Sequence, residues 1–246
     1  MDEFQRYSSL HFHFLGGLPP RLLERAIATR DGAPFAVLDM GCGDGGLMFA
    51  LKRQGLLGGA AVVAGVDLSP RRAALFALTM EDAVGVVSDA CHVPELGDQS
   101  FDVVVCSQLI EHVAQDGALL EEVRRVLKAD GMAYISSVIK SWYGFWAYRN
   151  GSGFLLDPTH VREYRSRDQF LALLAGSGLE PLEWATVGVR YPVLDLAVRA
   201  AAACGLAAPE QCRDIYVRRP RLEALRRVRV PAVGYFTVEA LCRRKG

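Results

Sequence analysis

The sequence has little that would set it apart from ordinary globular proteins. It carries no net charge, since 28 Lys and Arg balance 28 Asp and Glu, which argues against a dedicated nucleic-acid binder. Six cysteines, at 42, 91, 106, 204, 212 and 242, form no CxxC pair and no zinc-ligand spacing. A chain of 246 residues that is 51% hydrophobic can build a core without disulfide staples. Reduced thiols and a cytoplasmic location are therefore expected. The opening Met1-Asp2-Glu3 lacks a basic n-region and an apolar h-region, so no secretory leader is expected. The longest apolar stretch, about 191–208, is broken by Asp195 and Arg199, too interrupted for a transmembrane helix. Repeats and low-complexity tracts are absent, and the apolar content excludes disorder for the bulk of the chain.

What is present is an alternation. Short β-branched runs at 35–39, 61–67, 84–88, 101–106 and 132–138 are separated by helical patterns, which predicts βαβ units around a mostly parallel sheet. Ser69-Pro70 reads as an N-cap followed by proline at the first helical position. Ser166 and Gln169 form a capping box ahead of Phe170, Leu173 and Leu174, with Gly178 as a stop. Leu119, Leu120, Val123, Val126 and Leu127 make a helical stripe, and Ala129-Asp130-Gly131 reads as a turn into the fifth strand. A last strand is expected at 235–242.

Two segments exceed this minimal pattern. Residues 139–165 are rich in aromatics and read as a covering loop; residues 188–230 are arginine-rich and read as a helical insertion. The charge is uneven: residues 188–246 hold 12 Lys and Arg against 5 Asp and Glu, so the remainder is acidic by the same margin. That asymmetry suggests an anionic partner or acceptor group near the basic segment, with a solvated helix face as the bland alternative.

The central signal is the run from Val37 to Gly46, VLDMGCGDGG, a buried strand entering a glycine loop and then a short helix. Glycines allow positive φ and close approach of a ligand to the backbone. Gly41, Gly43 and Gly46 fit G-x-G-x-x-G, a weak pattern alone. Asp67 ends the second strand 21 residues after Gly46, where a carboxylate can accept hydrogen bonds from ribose hydroxyls. An adenosine-containing ligand follows. Asp39 before the loop and Asp44 within it would repel the pyrophosphate of NAD and suit the ammonium and sulfonium of S-adenosyl-L-methionine.

With these motifs the chain resembles the class I S-adenosylmethionine-dependent methyltransferases, in their small-molecule branch. The matching stations are VLDMGCGDGG (37–46), GVDLS (65–69), VSDA (87–90), FDVVVCSQLIEHV (101–113) and EVRRVLKADGMAYIS (122–136). The resemblance implies a single α/β domain over 1–246. Its Rossmann-like seven-stranded sheet should run in the order 3-2-1-4-5-7-6, with the last strand antiparallel. It implies that Asp39, Gly41 and Gly43 hold the methionine end of the cofactor, that Asp67 binds ribose, and that Leu68 flanks adenine. Asp89 and the Ala90 amide would meet the adenine ring, and Ser107 with Gln108 would line the methionine moiety. Residues 1–30 would cap the cofactor, with Tyr7 near its carboxylate.

Some relatives carry E-x-x-E-H after the fourth strand and bind a divalent metal there. Here Gln108 replaces the first Glu ahead of Glu111-His112, so no metal is expected and Glu111-His112 reads as a helix start, with His112 facing the substrate. Among the histidines, His160 in PTHVREY (158–164) is preferred as the base for a hydroxyl acceptor, with His112 second. The expected activity is methylation of a small or medium-sized metabolite, on oxygen rather than nitrogen or carbon. Two alternatives remain. One is an NAD(P)-dependent oxidoreductase, although no Tyr-x-x-x-Lys occurs; the other is a non-catalytic methyltransferase-like subunit.

Overall fold

The computed structural model describes residues 12–30, 33–150 and 153–245. One sheet organises them. Its strands are β1 (Phe35–Met40), β2 (Ala60–Asp67), β3 (Val84–Val87), β4 (Phe101–Ser107), β5 (Leu127–Phe145), β8 (Leu179–Pro192) and β9 (Arg229–Arg244). Their order is β3-β2-β1-β4-β5-β9-β8, which in sheet-strand count is the expected 3-2-1-4-5-7-6. The first five strands are parallel, and β9 runs antiparallel to both β5 and β8. The central strands are nearly continuous apolar runs, as burial on both faces requires. Val103, Val104 and Val105 are all inaccessible to solvent.

Helices α1 (Arg21–Ala28), α2 (Gly46–Arg53) and α3 (Pro70–Met80) supply one apolar layer, in which Leu23, Met48 and Phe76 pack on Val37 and Tyr134. Helices α4 (Asp116–Val126) and α5 (Arg167–Gly176) supply the other, with Leu119, Val123 and Phe170 against Leu38 and Ile135. The predicted caps form. Ser69 Oγ accepts from the Arg72 amide, and Ser166 Oγ accepts from the Gln169 amide at 3.1 Å. The Gln169 side chain reaches back one residue farther than a capping box, to the Arg165 amide at 2.9 Å. Gly178 follows α5 with φ +77°.

Three expectations change. Residues 139–165 are not one loop. β5 continues to Phe145 because β9 is long enough to pair with it as far as Phe145↔Val233, and β6 (Tyr148–Asn150) and β7 (Gly153–Leu155) form a hairpin. The insertion 188–230 is strand at both ends, and its helical part is α6 (Val193–Ala203), α7 (Pro209–Arg213), α8 (Ile215–Arg218), α9 (Pro220–Glu223) and a 3₁₀ turn at Ala224–Arg227. Finally, Ala129-Asp130-Gly131 lies inside β5, where the register against β4 shifts, rather than in a turn before it.

Candidate active site

The parallel strands end together on one edge, and the loops that follow them build the site. β1 feeds the loop at 41–45. Gly41 has φ +74°, and a Cβ there would lie 2.7 Å from the Leu109 side chain. The loop after β1 therefore abuts the loop after β4, and the positive φ at Gly41 favours glycine there. Gly41 and Cys42 amides both donate to the Val66 carbonyl, at 2.8 and 2.9 Å. Gly43 donates to Asp67 Oδ2 at 3.0 Å, while Asp67 Oδ1 accepts from the Ser69 amide at 2.8 Å. Asp67 thus braces the glycine loop, a role beyond the ribose contact expected of it.

Asp39 is buried at the tip of β1. Burial, and then the charge of Asp67, push its pKa up to about 8. Leu68, next to Asp67 in sequence, is 57% exposed. Asp89 is exposed, accepts from the Cys91 amide at 2.9 Å and adjoins buried Ala90. Ser107 Oγ lies 3.1 Å from Ser136 Oγ, and Gln108, with φ +53°, donates to the same Ser136 oxygen at 3.3 Å. Tyr7 lies outside the described residues.

Asp44 differs from the sequence expectation. Its carboxylate accepts from the His13 amide at 3.0 Å, meets His13 Nδ1 at 3.0 Å and lies 3.3 Å from Arg213 Nε. Burial pushes its pKa up, but His13 and Arg213 outweigh burial and bring it down to about 2. The carboxylates left to a ligand at this edge are therefore Asp39 and Asp67, the first of which becomes fully charged only as a cation arrives. Arg213 also donates to Thr79 and to the Asp44 carbonyl. Phe12 and Phe14 pack with Cys212 and Tyr216, so the segment before α1 and the helical insertion form one small core beside the glycine loop. Arg226 makes two hydrogen bonds to buried Asp195, at 3.0 and 2.8 Å, and lies 4.6 Å over the Tyr216 ring. These two arginines hold the insertion in place. Arg218 pairs with Asp214 at 2.8 Å, and Arg219 and Arg221 are exposed.

A second cluster follows β4 and faces the loop after β7. Residues 110–112 form a turn, and α4 starts only at Asp116, so Glu111-His112 is not a helix start. The Glu111 carbonyl accepts from the Val161 and Arg162 amides at 3.0 and 3.3 Å, which pins the loop bearing His160. His112 and His160 are edge to face, with ring centroids 4.7 Å apart. Donor atoms of Glu111, His112 and His160 lie within 4.8 Å of one another.

Proton positions follow from the partners. A carboxylate can only accept, so His160 Nδ1 carries the proton it gives to Glu163 Oε1 at 2.9 Å, which leaves Nε2 as the free lone pair. The Thr159 hydroxyl donates to Asp157 at 2.6 Å and so accepts from His112 Nδ1 at 2.9 Å. Burial, then the neighbouring His160, lower the His112 pKa to about 4, so this ring is neutral at pH 7. Glu111 is fully buried; Ser137 Oγ donates to its Oε2 at 2.8 Å, and Oε1 has no partner among the described residues. Burial raises its pKa to about 7. The sequence reading missed both Glu163 and the role of Glu111. The His160-x-x-Glu163 spacing is the local sign that could have shown the first.

The strand order, the glycine loop after β1 and the acid ending β2 are those that the resemblance to the class I methyltransferases implies. A family model described as a methyltransferase domain matches residues 38–135. The ubiquinone biosynthesis O-methyltransferase of Neisseria meningitidis serogroup A is 31% identical over 145 residues, 57% of this chain and 57% of that protein. The enzyme of that name from Idiomarina loihiensis is 30% identical over 155 residues, 59% and 62% of the two chains. The matched region thus spans a little over half the length of these curated relatives. Among solved structures, the [4+2]-cyclase SpnF aligns with a TM-score of 0.61 at 18% identity, covering 98% and 95% of the two chains. The 1,6-didemethyltoxoflavin-N1-methyltransferase of Burkholderia thailandensis, crystallised with S-adenosylhomocysteine, aligns with a TM-score of 0.54 at 19% identity over 92% and 78%. At these identities the likeness is one of fold. Residues 38–135 thus match a methyltransferase domain, on a fold that the chain shares with a methyltransferase crystallised with S-adenosylhomocysteine.

Proposed function

We propose that the protein transfers the methyl group of S-adenosyl-L-methionine to a hydroxyl of a small or medium-sized metabolite. The observation that carries this reading is Asp39. A carboxylate buried at the strand tip and raised to about 8 gains most from an incoming cation such as the ammonium of the methionine moiety, and it disfavours a pyrophosphate. The cofactor supplies a carbon already activated by its sulfonium. The protein's part is to align acceptor and methyl and to exclude water. Asp39 and the Gly41 and Gly43 backbone would hold the methionine end; Asp67 the ribose; Leu68, Asp89 and Ala90 the adenine; Ser107 the rim. His160 Nε2 is the lone pair suited to take the hydroxyl proton, with Glu163 fixing the ring and neutral His112 beside it. The relatives named O-methyltransferases support oxygen as the acceptor atom. The fold alone does not, because one of its aligned structures is a cyclase. An anionic group on the acceptor would be met by exposed Arg218, Arg219 and Arg221 rather than by Arg213 or Arg226, which are taken up inside the protein.

Calorimetry on the purified chain tests the cofactor. S-adenosylhomocysteine is expected to bind and NAD is not. Asp67→Ala should weaken binding by about 1.5–3 kcal/mol, the worth of a hydrogen bond to a charged group. Because Asp67 also braces Gly43, Asp67→Asn serves as the companion. It keeps an oxygen acceptor, so its affinity should fall between the two. Unchanged affinity in both variants removes Asp67 from the site, and binding of NAD in place of S-adenosylhomocysteine overturns the reading. Methyl transfer should persist in a chelator; its loss would reassign Glu111, His112 and His160 to a cation.

A further inference from the structure

Three paired segments at the extended end of the sheet share an unusual composition. Residues 140–156, 186–194 and 224–236 contain no Asp or Glu. They do contain Arg149, Arg190, Arg227 and Arg229, all exposed. The same end displays aromatic side chains that the core does not use. Trp142 is 95% exposed and meets Tyr143 edge to face at 5.5 Å. Tyr143 lies against Gly234 of β9, next to Val233, which is cross-strand from Phe145. Directly opposed residues of an antiparallel pair present their side chains on one face, and Phe145 and Val233 are 58% and 50% exposed. Phe145 continues to Phe154 at 4.5 Å, over which Arg149 sits at 5.5 Å. Arg190 and Arg229 enter from the other side through the pairings Arg190↔Pro231 and Pro192↔Arg229.

Beneath this surface the sheet end has its own support. Val138, Leu156, Ala232 and Tyr235 are buried together, and Trp146 stacks on Tyr191. The outer aromatics are therefore held on a built platform rather than left over from a poorly packed one. A group of exposed aromatics on such a platform marks an interaction surface. Tryptophan and tyrosine rings settle at the headgroup level of a bilayer, and arginines beside them are attracted to anionic lipid. An unbroken absence of carboxylates is what such a surface requires.

We propose that this end of the sheet is a docking surface for an anionic bilayer, bound peripherally through Trp142, Tyr143 and Phe145 with Arg149, Arg190 and Arg229. No described helix is long and apolar enough to cross a membrane, and the proposal needs none. It does not depend on which atom is methylated, since vesicle binding is measured without cofactor or acceptor.

The test is sedimentation of the full chain with phosphatidylcholine vesicles that do or do not contain phosphatidylglycerol at about one lipid in four. The chain should pellet with the anionic vesicles and little with the neutral ones. Trp142→Ser should lower partitioning roughly tenfold, the scale for burying one large apolar ring. Arg190→Ser with Arg229→Ser should lower it about 25-fold at low salt, at about fivefold per arginine. Trp142 is too exposed for its replacement to unfold the chain, and cofactor affinity should be unchanged in all variants. Absence of binding to anionic vesicles overturns the proposal. So does equal binding by the variants, or a concentration-dependent dimer in ultracentrifugation that Trp142→Ser returns to monomer.

Discussion

Replacing His160 by alanine is expected to lower turnover by about 10²- to 10⁴-fold, the range for loss of a positioned general base, while the affinity for S-adenosylhomocysteine stays within a factor of about two of the parent. The geometry gives this its force. Nδ1 is committed to Glu163, so the ring cannot present that nitrogen to an acceptor, and the loss falls on Nε2 alone. Glu163→Gln separates position from charge. The amide offers no carboxylate and can turn its NH2 toward Nδ1, which favours the wrong tautomer, so a loss confined to kcat and approaching that of His160→Ala is expected. Single-turnover rates with the relevant acceptor provide the measurement. A folded His160→Ala protein that keeps most of its turnover would make the residue a loop anchor, with alignment of the reactants accounting for catalysis.

The affinity for S-adenosylhomocysteine should rise with pH until about 8 and then level off. In the free protein Asp39 titrates near 8, because burial and the Asp67 charge both disfavour its ionised form. The ammonium of the ligand favours that ionised form. Below the free-state pKa, binding must therefore expel a proton, at about tenfold in affinity per pH unit. Calorimetry at pH 7 in two buffers of different ionisation enthalpy should show a proton released on binding. Asp39→Asn has no proton to lose, so its affinity should be lower at pH 8 and flat across the range. A flat profile in the parent protein would separate Asp39 from the ammonium.

Acid should also loosen the glycine loop. Asp44 is held down to about 2, below the ordinary carboxylate range. A depressed carboxylate contributes stability above its unfolded value, near 3.9, and that contribution is lost as pH falls through the folded value. Thermal melts between about pH 5 and 2 should therefore fall more steeply for the parent than for Asp44→Asn.

The sheet was legible in the sequence because its strands are short runs of valine, alanine and leucine bounded by glycine or acid, and because local caps such as Ser69 and Ser166 mark the helices between them. What escaped is what distance along the chain conceals. Ser141-Trp142-Tyr143-Gly144 reads as loop, since its partner strand lies near residue 233 and no local pattern announces the pairing. The Asp44–Arg213 contact joins residues 169 apart. Asp44 looked like a ligand contact for that reason: its neighbours in sequence gave no sign of a cation from the insertion. Glu163 was within reach, three residues from His160, but a lone Glu in a loop carries no signature until its burial is known.

The Asp44 contacts tie together pieces of chain that a linear reading treats as separate. His13 belongs to the segment before the first helix, Arg213 to the insertion between the last two strands, and both grip one buried carboxylate in the glycine loop. Undocking either piece removes a cationic partner from that carboxylate, so each piece helps to hold the other's anchor in its charged form.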